Sequence, residues 1–270
     1  MKQEKILGLI AGSGKFPFVF AKKARDKGYK VVAAAVIGDA SFFLKFFVSE
    51  IEWFNVGDMK KMFLYLKNKN VSKAIMAGQV SQSNLFDKRV NFDEEFSGIF
   101  EAIKDRKADT IFAAAADKLK NYGIDLIDST FLIDEYLAPK GTLTKRGPSI
   151  SELHDIEFGV GIAKEMGDID IGQTVVIKDK AIVAIEAMEG TDQSILRGGK
   201  IAREGAVIVK VSKPKQDLRF DVPVVGPRTI KNMIKTKSKC LAIEAGKTIL
   251  INQETCIKLA NKADICIVSV

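Results

Sequence analysis

Short apolar runs alternate with amphipathic stretches through the first half of the chain. Residues 5–10 read as a buried strand bounded by a glycine turn. Residues 18–27 follow as a helix, with Pro17 near its first turn, where a missing N–H costs nothing. Residues 29–37, 51–54 and 73–76 repeat the strand pattern, and residues 58–67 set apolar and basic side chains at helical spacing. A helical region spans 96–119, and a further strand and turn lie within 123–137. Strand and helix in alternation, with short connections, predict a parallel sheet with helices on both faces. The first half therefore reads as a Rossmann-like α/β domain.

At residues 139–150 the periodicity stops, and two prolines and two glycines read as a linker. The expected division is 1–138, a linker at 139–150, and a second domain at 151–270. In the second domain a helix at 151–165 precedes a hairpin at 174–189 that turns at residues 178–180. Strands at 206–211, 240–243, 248–251 and 265–268 then interleave with helices from 193, at 229–235 and at 253–262. This half reads as a mixed α/β domain.

Composition narrows the chemistry. No apolar run reaches the roughly 18 residues of a membrane span. No signal-peptide pattern precedes the first strand, so a cytoplasmic protein is expected. Cys240, Cys256 and Cys266 lie far apart and read as reduced core thiols. The single histidine, His154, excludes dimetal centres built from several histidines and leaves a Ser-His-Asp triad only one base. Any metal would be held mainly by oxygen, which favours magnesium or manganese. The formal charge of +8 suggests an anionic partner. With no basic block and no basic-aromatic motif, nucleic acid is not expected.

Two stretches carry candidate chemistry. Gly12, Ser13 and Gly14 form a strand–turn–helix junction that offers backbone N–H groups to a phosphate, and Gly78-Gln79 ends another strand at the same edge. The spacing, Gly-x-Gly-x-x-Pro, is not a dinucleotide fingerprint. The second stretch runs from Lys210 to Thr229. If it is extended, Asp217, Arg219 and Asp221 share one face, which suits a hard cation beside a phosphate, with Lys210 and Lys213 adding charge upstream. An edge strand with solvated charges explains the same pattern. Four phenylalanines, Phe42, Phe43, Phe46 and Phe47, crowd one segment; core packing is the favoured reading and an apolar edge that touches lipid the other.

The motifs Gly8-Leu-Ile-Ala-Gly-Ser-Gly-Lys-Phe-Pro17, Ala77-Gly-Gln-Val, Asp170-Ile-Gly-Gln-Thr-Val-Val176, Ala187-Met-Glu-Gly-Thr-Asp192 and Lys210 to Gly226 together resemble the LpxI-type UDP-2,3-diacylglucosamine pyrophosphatases over nearly the whole length. Members often carry a Gly-Asp-Asp-Ala-Leu-like segment where this chain has Ala115-Ala116-Asp117-Lys118-Leu119. The resemblance implies hydrolysis of UDP-2,3-diacylglucosamine to UMP and 2,3-diacylglucosamine 1-phosphate on the route to lipid A. It also implies a divalent cation, magnesium by expectation, and two domains with the substrate between them. The residues' own chemistry makes Asp217, Asp221 and Arg219 the candidate catalytic groups: either aspartate can bind the cation or orient the water, Arg219 can hold phosphate oxygens, and Glu189 and Asp192 are further candidate metal ligands. Gly12, Ser13, Gly14, Gly78, Gln79, Lys210, Lys213 and Thr191 are candidate substrate contacts. A lipid substrate and the positive charge imply transient contact with the inner membrane. A homodimer is allowed for. The competing functions are a nucleotide-cofactor oxidoreductase and a binding protein of the same fold that has lost catalysis.

Overall fold

The computed structural model describes residues 4–81, 87, 90–105 and 107–270. The chain divides into two compact units. The first is Met1–Asp134 together with Asp217–Asp221; the second is Glu135–Gln216 together with Val222–Val270.

The first unit is built on β1 (Ile6–Ala11), β2 (Lys30–Val36), β3 (Glu50–Phe54), β4 (Lys73–Ala77) and β5 (Asp125–Leu126). They pair in the order β3-β2-β1-β4-β5, and every pairing is parallel. Side chains alternate across the sheet. Ile10, Val32, Ala34 and Val36 face a core shared with α2 (Met59–Asn68), α3 (Glu94–Ala102) and α4 (Ala108–Asn121). The opposite face meets α1 (Phe16–Asp26), which buries Phe16, Phe20, Ala21 and Ala24 and contacts β1, β2 and β4. Fully burying a side chain of this size contributes about 1.5–3 kcal/mol. The helical region read at 96–119 is two helices, broken between Ile103 and Lys107.

The second unit holds a six-stranded sheet, β6-β13-β11-β9-β7-β8. Its strands are β6 (Gly141–Thr142), β7 (Thr174–Lys178), β8 (Ala181–Ile185), β9 (Val207–Lys210), β11 (Cys240–Ile243) and β13 (Cys266–Ser269). A separate parallel pair joins β10 (Val224–Val225) to β12 (Ile249–Leu250). The three strands β9, β11 and β13 are parallel, and β6, β7 and β8 run antiparallel to their neighbours. One face packs on α5 (Ile150–Asp168) through Val175, Ile177, Val207 and Val209. The other packs on α6 (Gly190–Ala202), α7 (Pro227–Lys235) and α8 (Gln253–Lys262). The β7–β8 hairpin turns through Asp179 and Lys180, both at positive φ, as a tight antiparallel turn requires. Asp155 of α5 fastens that turn by accepting both of its N–H groups.

Residues 139–150, expected as a linker, are tied into the second unit. Gly141 and Thr142 form β6 against β13, and Thr144 Oγ1 accepts the N–H of Ile267. Arg146 reaches both oxygens of Glu152 at 2.7 and 3.0 Å, and Ser149 and Glu152 form a capping box at the start of α5. A short run without periodicity gives no sign of such long-range bonds, so composition alone suggested a free connector. The three cysteines are free and buried, and His154 is exposed on α5.

Candidate active site

The glycine turn and its neighbour on β4 are joined backbone to backbone. Gly12 N–H donates to Ala77 O at 2.9 Å, Ser13 N–H to Gln79 O at 2.8 Å, and Gln79 N–H to Ser13 O at 3.3 Å. Ser13 Oγ adds a fourth bond to Gln79 O. A Cβ on Gly12 would lie 2.5 Å from Gln79 O, and one on Gly78 would lie 2.3 Å from Ser13 O. Gly12 and Gly78 are therefore glycine because the two loops touch each other. Gly14 is glycine for another reason: its φ is +92°, and the space beside it is open. The turn leads into α1, whose N-terminus has no side-chain cap and carries Pro17 in its first turn. Asp39, just beyond β2, accepts the N–H of Ser81 at 3.1 Å, and burial pushes its carboxyl above the usual range. Sequence reading passed over Asp39; the signal was the acid after Gly38 at a strand end.

The stretch carrying Asp217, Arg219 and Asp221 is not extended. Phe220 and Asp221 both return their N–H groups to Asp217 O, which closes one turn. The Asp217 carboxylate accepts the N–H of Arg219 at 3.0 Å, and this local bond favours a turn over a strand. The Arg219 guanidinium folds back on the same carboxylate, with Nη2 to Oδ2 at 2.6 Å and Nε to Oδ1 at 2.9 Å. Hydrogen bonding from Arg219 holds Asp217 below the usual carboxylate range, and the same bonds raise Arg219. The turn is pinned to the first unit. Ser129 N–H donates to Leu218 O at 2.8 Å, and Ser129 Oγ lies 2.7 Å from both Met76 O and Arg219 O. Phe220 packs on Phe112 and the first unit's core. Met76 lies two residues before Gly78, so this turn and the glycine loops share one end of the sheet. Near them an apolar cavity is lined by Met59, Met62, Phe63, Met76, Phe92 and Phe112.

The second unit carries the remaining candidates. Lys210 is buried; its Nζ lies 2.7 Å from Thr191 Oγ1 and 3.8 Å from Glu186 Oε2. Thr191 in turn donates to Glu186 Oε1 at 2.7 Å. Lys213 is buried against Asp170. Ser212, between the two lysines, donates both N–H and Oγ to Glu244, which also pairs with Lys164 and Lys247. Burial raises Glu244, but bonds from Lys164, Lys247 and Ser212 outweigh it and hold the group at about 2. Glu186, Asp170 and Glu244 were missed by sequence reading. They lie 24, 43 and 32 residues from Lys210, Lys213 and Ser212, and only the sheet brings them together.

Of the four acids expected as metal ligands, Asp217 and Asp221 lie in the first unit and Glu189 and Asp192 in the second. Glu189 is held by Arg197 at 2.6 Å, and Asp192 by Arg228 at 2.7 Å and Asn232 at 2.8 Å. Burial opposes ionisation of Glu189, yet Arg197 keeps it below the usual range. Among the described residues no three His, Cys, Asp or Glu side chains come together to hold a metal ion. The donors present suit at most a cation that binds through one or two carboxylates and phosphate oxygens.

The family model of the LpxI N-terminal domain matches residues 6–136, and that of the LpxI C-terminal domain matches residues 139–268. The chain belongs to the LpxI family. A curated protein of Caulobacter vibrioides, named UDP-2,3-diacylglucosamine pyrophosphatase LpxI, is 27% identical over 98% of this chain and 97% of its own length. Ala115 and Ala116 are buried in the first unit's core, so an acid there would meet apolar side chains. Asp117, the next residue, is exposed and adds to Asp217 in raising Arg219.

Proposed function

We propose that the chain hydrolyses UDP-2,3-diacylglucosamine. Water adds to one phosphorus of the diphosphate, and the bridging oxygen leaves with the other phosphate. The products are UMP and 2,3-diacylglucosamine 1-phosphate, which places the reaction in lipid A biosynthesis. The match of both LpxI domain models, over nearly the whole chain, carries this reading.

The 217–221 turn is the proposed reaction centre. Asp217 orients Arg219, whose planar guanidinium suits phosphate oxygens and stabilises their developing charge. Asp221 takes the proton of the attacking water. The backbone at Gly12, Ser13, Gly14, Gly78 and Gln79 receives the nucleotide diphosphate. Lys210, Lys213 and Thr191 are the proposed substrate contacts of the second unit, with the lysine charges shared with Glu186 and Asp170. The apolar cavity of the first unit suits an acyl chain. A magnesium or manganese ion would be held by one or two carboxylates together with the diphosphate, whose oxygens it would neutralise.

Among the described residues no helix is long and apolar enough to cross a membrane. Each buried CH₂ of an acyl chain contributes about 0.8 kcal/mol, so the substrate stays with a bilayer. The enzyme therefore works as a peripheral protein on the cytoplasmic face of the inner membrane. A homodimer is compatible with this scheme.

The test is UMP release from UDP-2,3-diacylglucosamine, with and without EDTA. The expected result is turnover that EDTA abolishes. Tight binding without turnover would favour a binding protein, and an NAD(P)-dependent absorbance change would favour an oxidoreductase.

A further inference from the structure

The segment Phe42–Phe46 is a short 3-10 turn after β2. Core packing was the favoured reading for its phenylalanines, and the structure reverses it. Leu44 is the residue that points inward, fully buried. Phe42, Phe43 and Phe46 are 61, 66 and 65% exposed, far above what a core aromatic shows. Phe47 is half-buried, edge-on against Phe18 of α1 at 5.1 Å. A turn of about three residues repeats side-chain direction too quickly for four aromatics to share one buried face.

The three exposed rings form a continuous patch. Phe42 stacks on Trp53 at 6.2 Å, and Phe43 lies 6.5 Å from Phe46. Ile37, half exposed, stands at the end of β2 nearby in the chain. The patch is also basic. Lys45 Nζ sits 3.7 Å from the centre of the Phe42 ring and 5.0 Å from that of Phe46. Lys15 sits 5.7 Å from the Phe18 ring, and Lys22 is exposed one turn along from Phe18 on α1. No acid occurs in residues 12–25 or 40–49, which supply the phenylalanines and lysines, and Asp39, beyond Ile37, accepts the N–H of Ser81 at 3.1 Å. Glu52, next to Trp53, points to the opposite side of β3 by strand alternation.

Exposed aromatics ringed by lysines, with no acid among them, match an anionic bilayer surface: the rings enter the acyl boundary and the ammonium groups reach the headgroups. Lys15 also directly follows Gly14, which brings the patch to the same end of the sheet as the glycine turn. We infer that Phe42, Phe43 and Phe46, with Lys15, Lys22 and Lys45, form the surface by which the protein docks on anionic lipid. This rests on the lipid-hydrolase reading for its purpose, and on the exposed patch for its location.

The test compares wild type with the triple variant Phe42→Ser/Phe43→Ser/Phe46→Ser. Co-sedimentation is measured with phosphatidylcholine vesicles, with and without phosphatidylglycerol, at low and high salt. UMP release is measured from substrate in the same vesicles and from substrate dispersed in detergent. Wild type is expected to pellet with the anionic vesicles and less so at high salt. The variant, with an unchanged melting temperature, should partition roughly tenfold or more weakly. It should lose turnover on vesicles and keep it in detergent. Equal pelleting of the two proteins, or no pelleting of wild type on any vesicle, would overturn the docking surface. A wild-type dimer that the variant splits, with pelleting unchanged, would make the patch a contact between two copies and would overturn it as well. Absence of UMP release by wild type in both formats would sink the hydrolase reading alone, because pelleting is scored separately.

Discussion

The two units treat charge in opposite ways. The first keeps its candidate charges near the surface and fixes its loops through backbone. Gly12 and Gly78 are zipped loop to loop, and Asp217 and Arg219 are each about a third exposed. The second unit buries its two candidate lysines, while its candidate acids Glu189 and Asp192 keep 31 and 28% of their side chains exposed. Lys210 and Lys213 are less than a tenth exposed, and each meets a carboxylate. A group that must meet a changing phosphate charge is best left near solvent with its orientation set in advance. A group buried in a pair contributes rigidity, and removing either partner is costly. On the proposed function, the first unit's turn carries turnover, and the second unit's lysines are substrate contacts already held rigid by their carboxylates.

The largest expected effect is on turnover. Asp221→Asn should lower UMP release by roughly a hundredfold to ten-thousandfold, the range for a lost general base. Arg219→Ala should cost roughly a hundredfold to a thousandfold, and Arg219→Lys should recover little, since an ammonium lacks the two-pronged geometry. Asp217→Asn should cost less than either, because it keeps a carbonyl oxygen for Arg219. Steady-state rates with matched circular dichroism spectra check all three. Equal losses for Asp217→Asn and Asp221→Asn would break the division of roles between them.

Next comes stability of the second unit. Glu186→Gln should destabilise by about 3–5 kcal/mol, as expected when a buried charge loses its partner. The double variant Glu186→Gln/Lys210→Met should recover much of that in a denaturant titration. If the single variant unfolds at the wild-type midpoint, the pair is not what holds that region.

The glycines sharpen the contrast within the first unit. Gly78→Ala faces both a positive φ and a backbone oxygen at 2.3 Å, whereas Gly14→Ala faces the positive φ alone. Gly78→Ala should cost more than the roughly 1 kcal/mol expected of the φ penalty at Gly14. Thermal melting of the two variants distinguishes them. Identical shifts would mean the loops separate easily.

The smallest effect concerns pH. Glu244 is depressed to about 2, so its stabilisation is complete above the ordinary glutamate range and is lost only as pH falls toward 2. Asp217 is also depressed by Arg219, with the same sign. Acid titration of wild type against Glu244→Gln should show a difference that shrinks below about pH 4. A difference that persists unchanged to pH 2 would contradict the assignment.

Much of the fold was legible because it rests on local pattern. The strands at 5–10, 29–37 and 240–243, and the helix at 253–262, follow from apolar runs and helical spacing, and their ends fall within a residue or two. Gly12, Gly14 and Gly78 were legible as special positions, yet the reason at Gly12 and Gly78 was loop against loop, which depends on β1 and β4 being neighbours. The 217–221 turn was misread because alternation of charged and apolar residues looks the same in a strand and in an Asx-type turn. The phenylalanine segment was misread because composition does not reveal which side of a short turn faces inward. The partners of Lys210 and Lys213 come from distant strands and leave no trace in local spacing.

The central claim is that this LpxI-family chain cleaves the diphosphate with the 217–221 turn. The most direct measurement follows the products of UDP-2,3-diacylglucosamine for wild type and Asp221→Asn, with folding checked on both. Wild type should yield UMP and 2,3-diacylglucosamine 1-phosphate in equal amounts, and Asp221→Asn should yield almost none over the same time. Release of UDP, or a wild-type rate from the variant, would contradict the account.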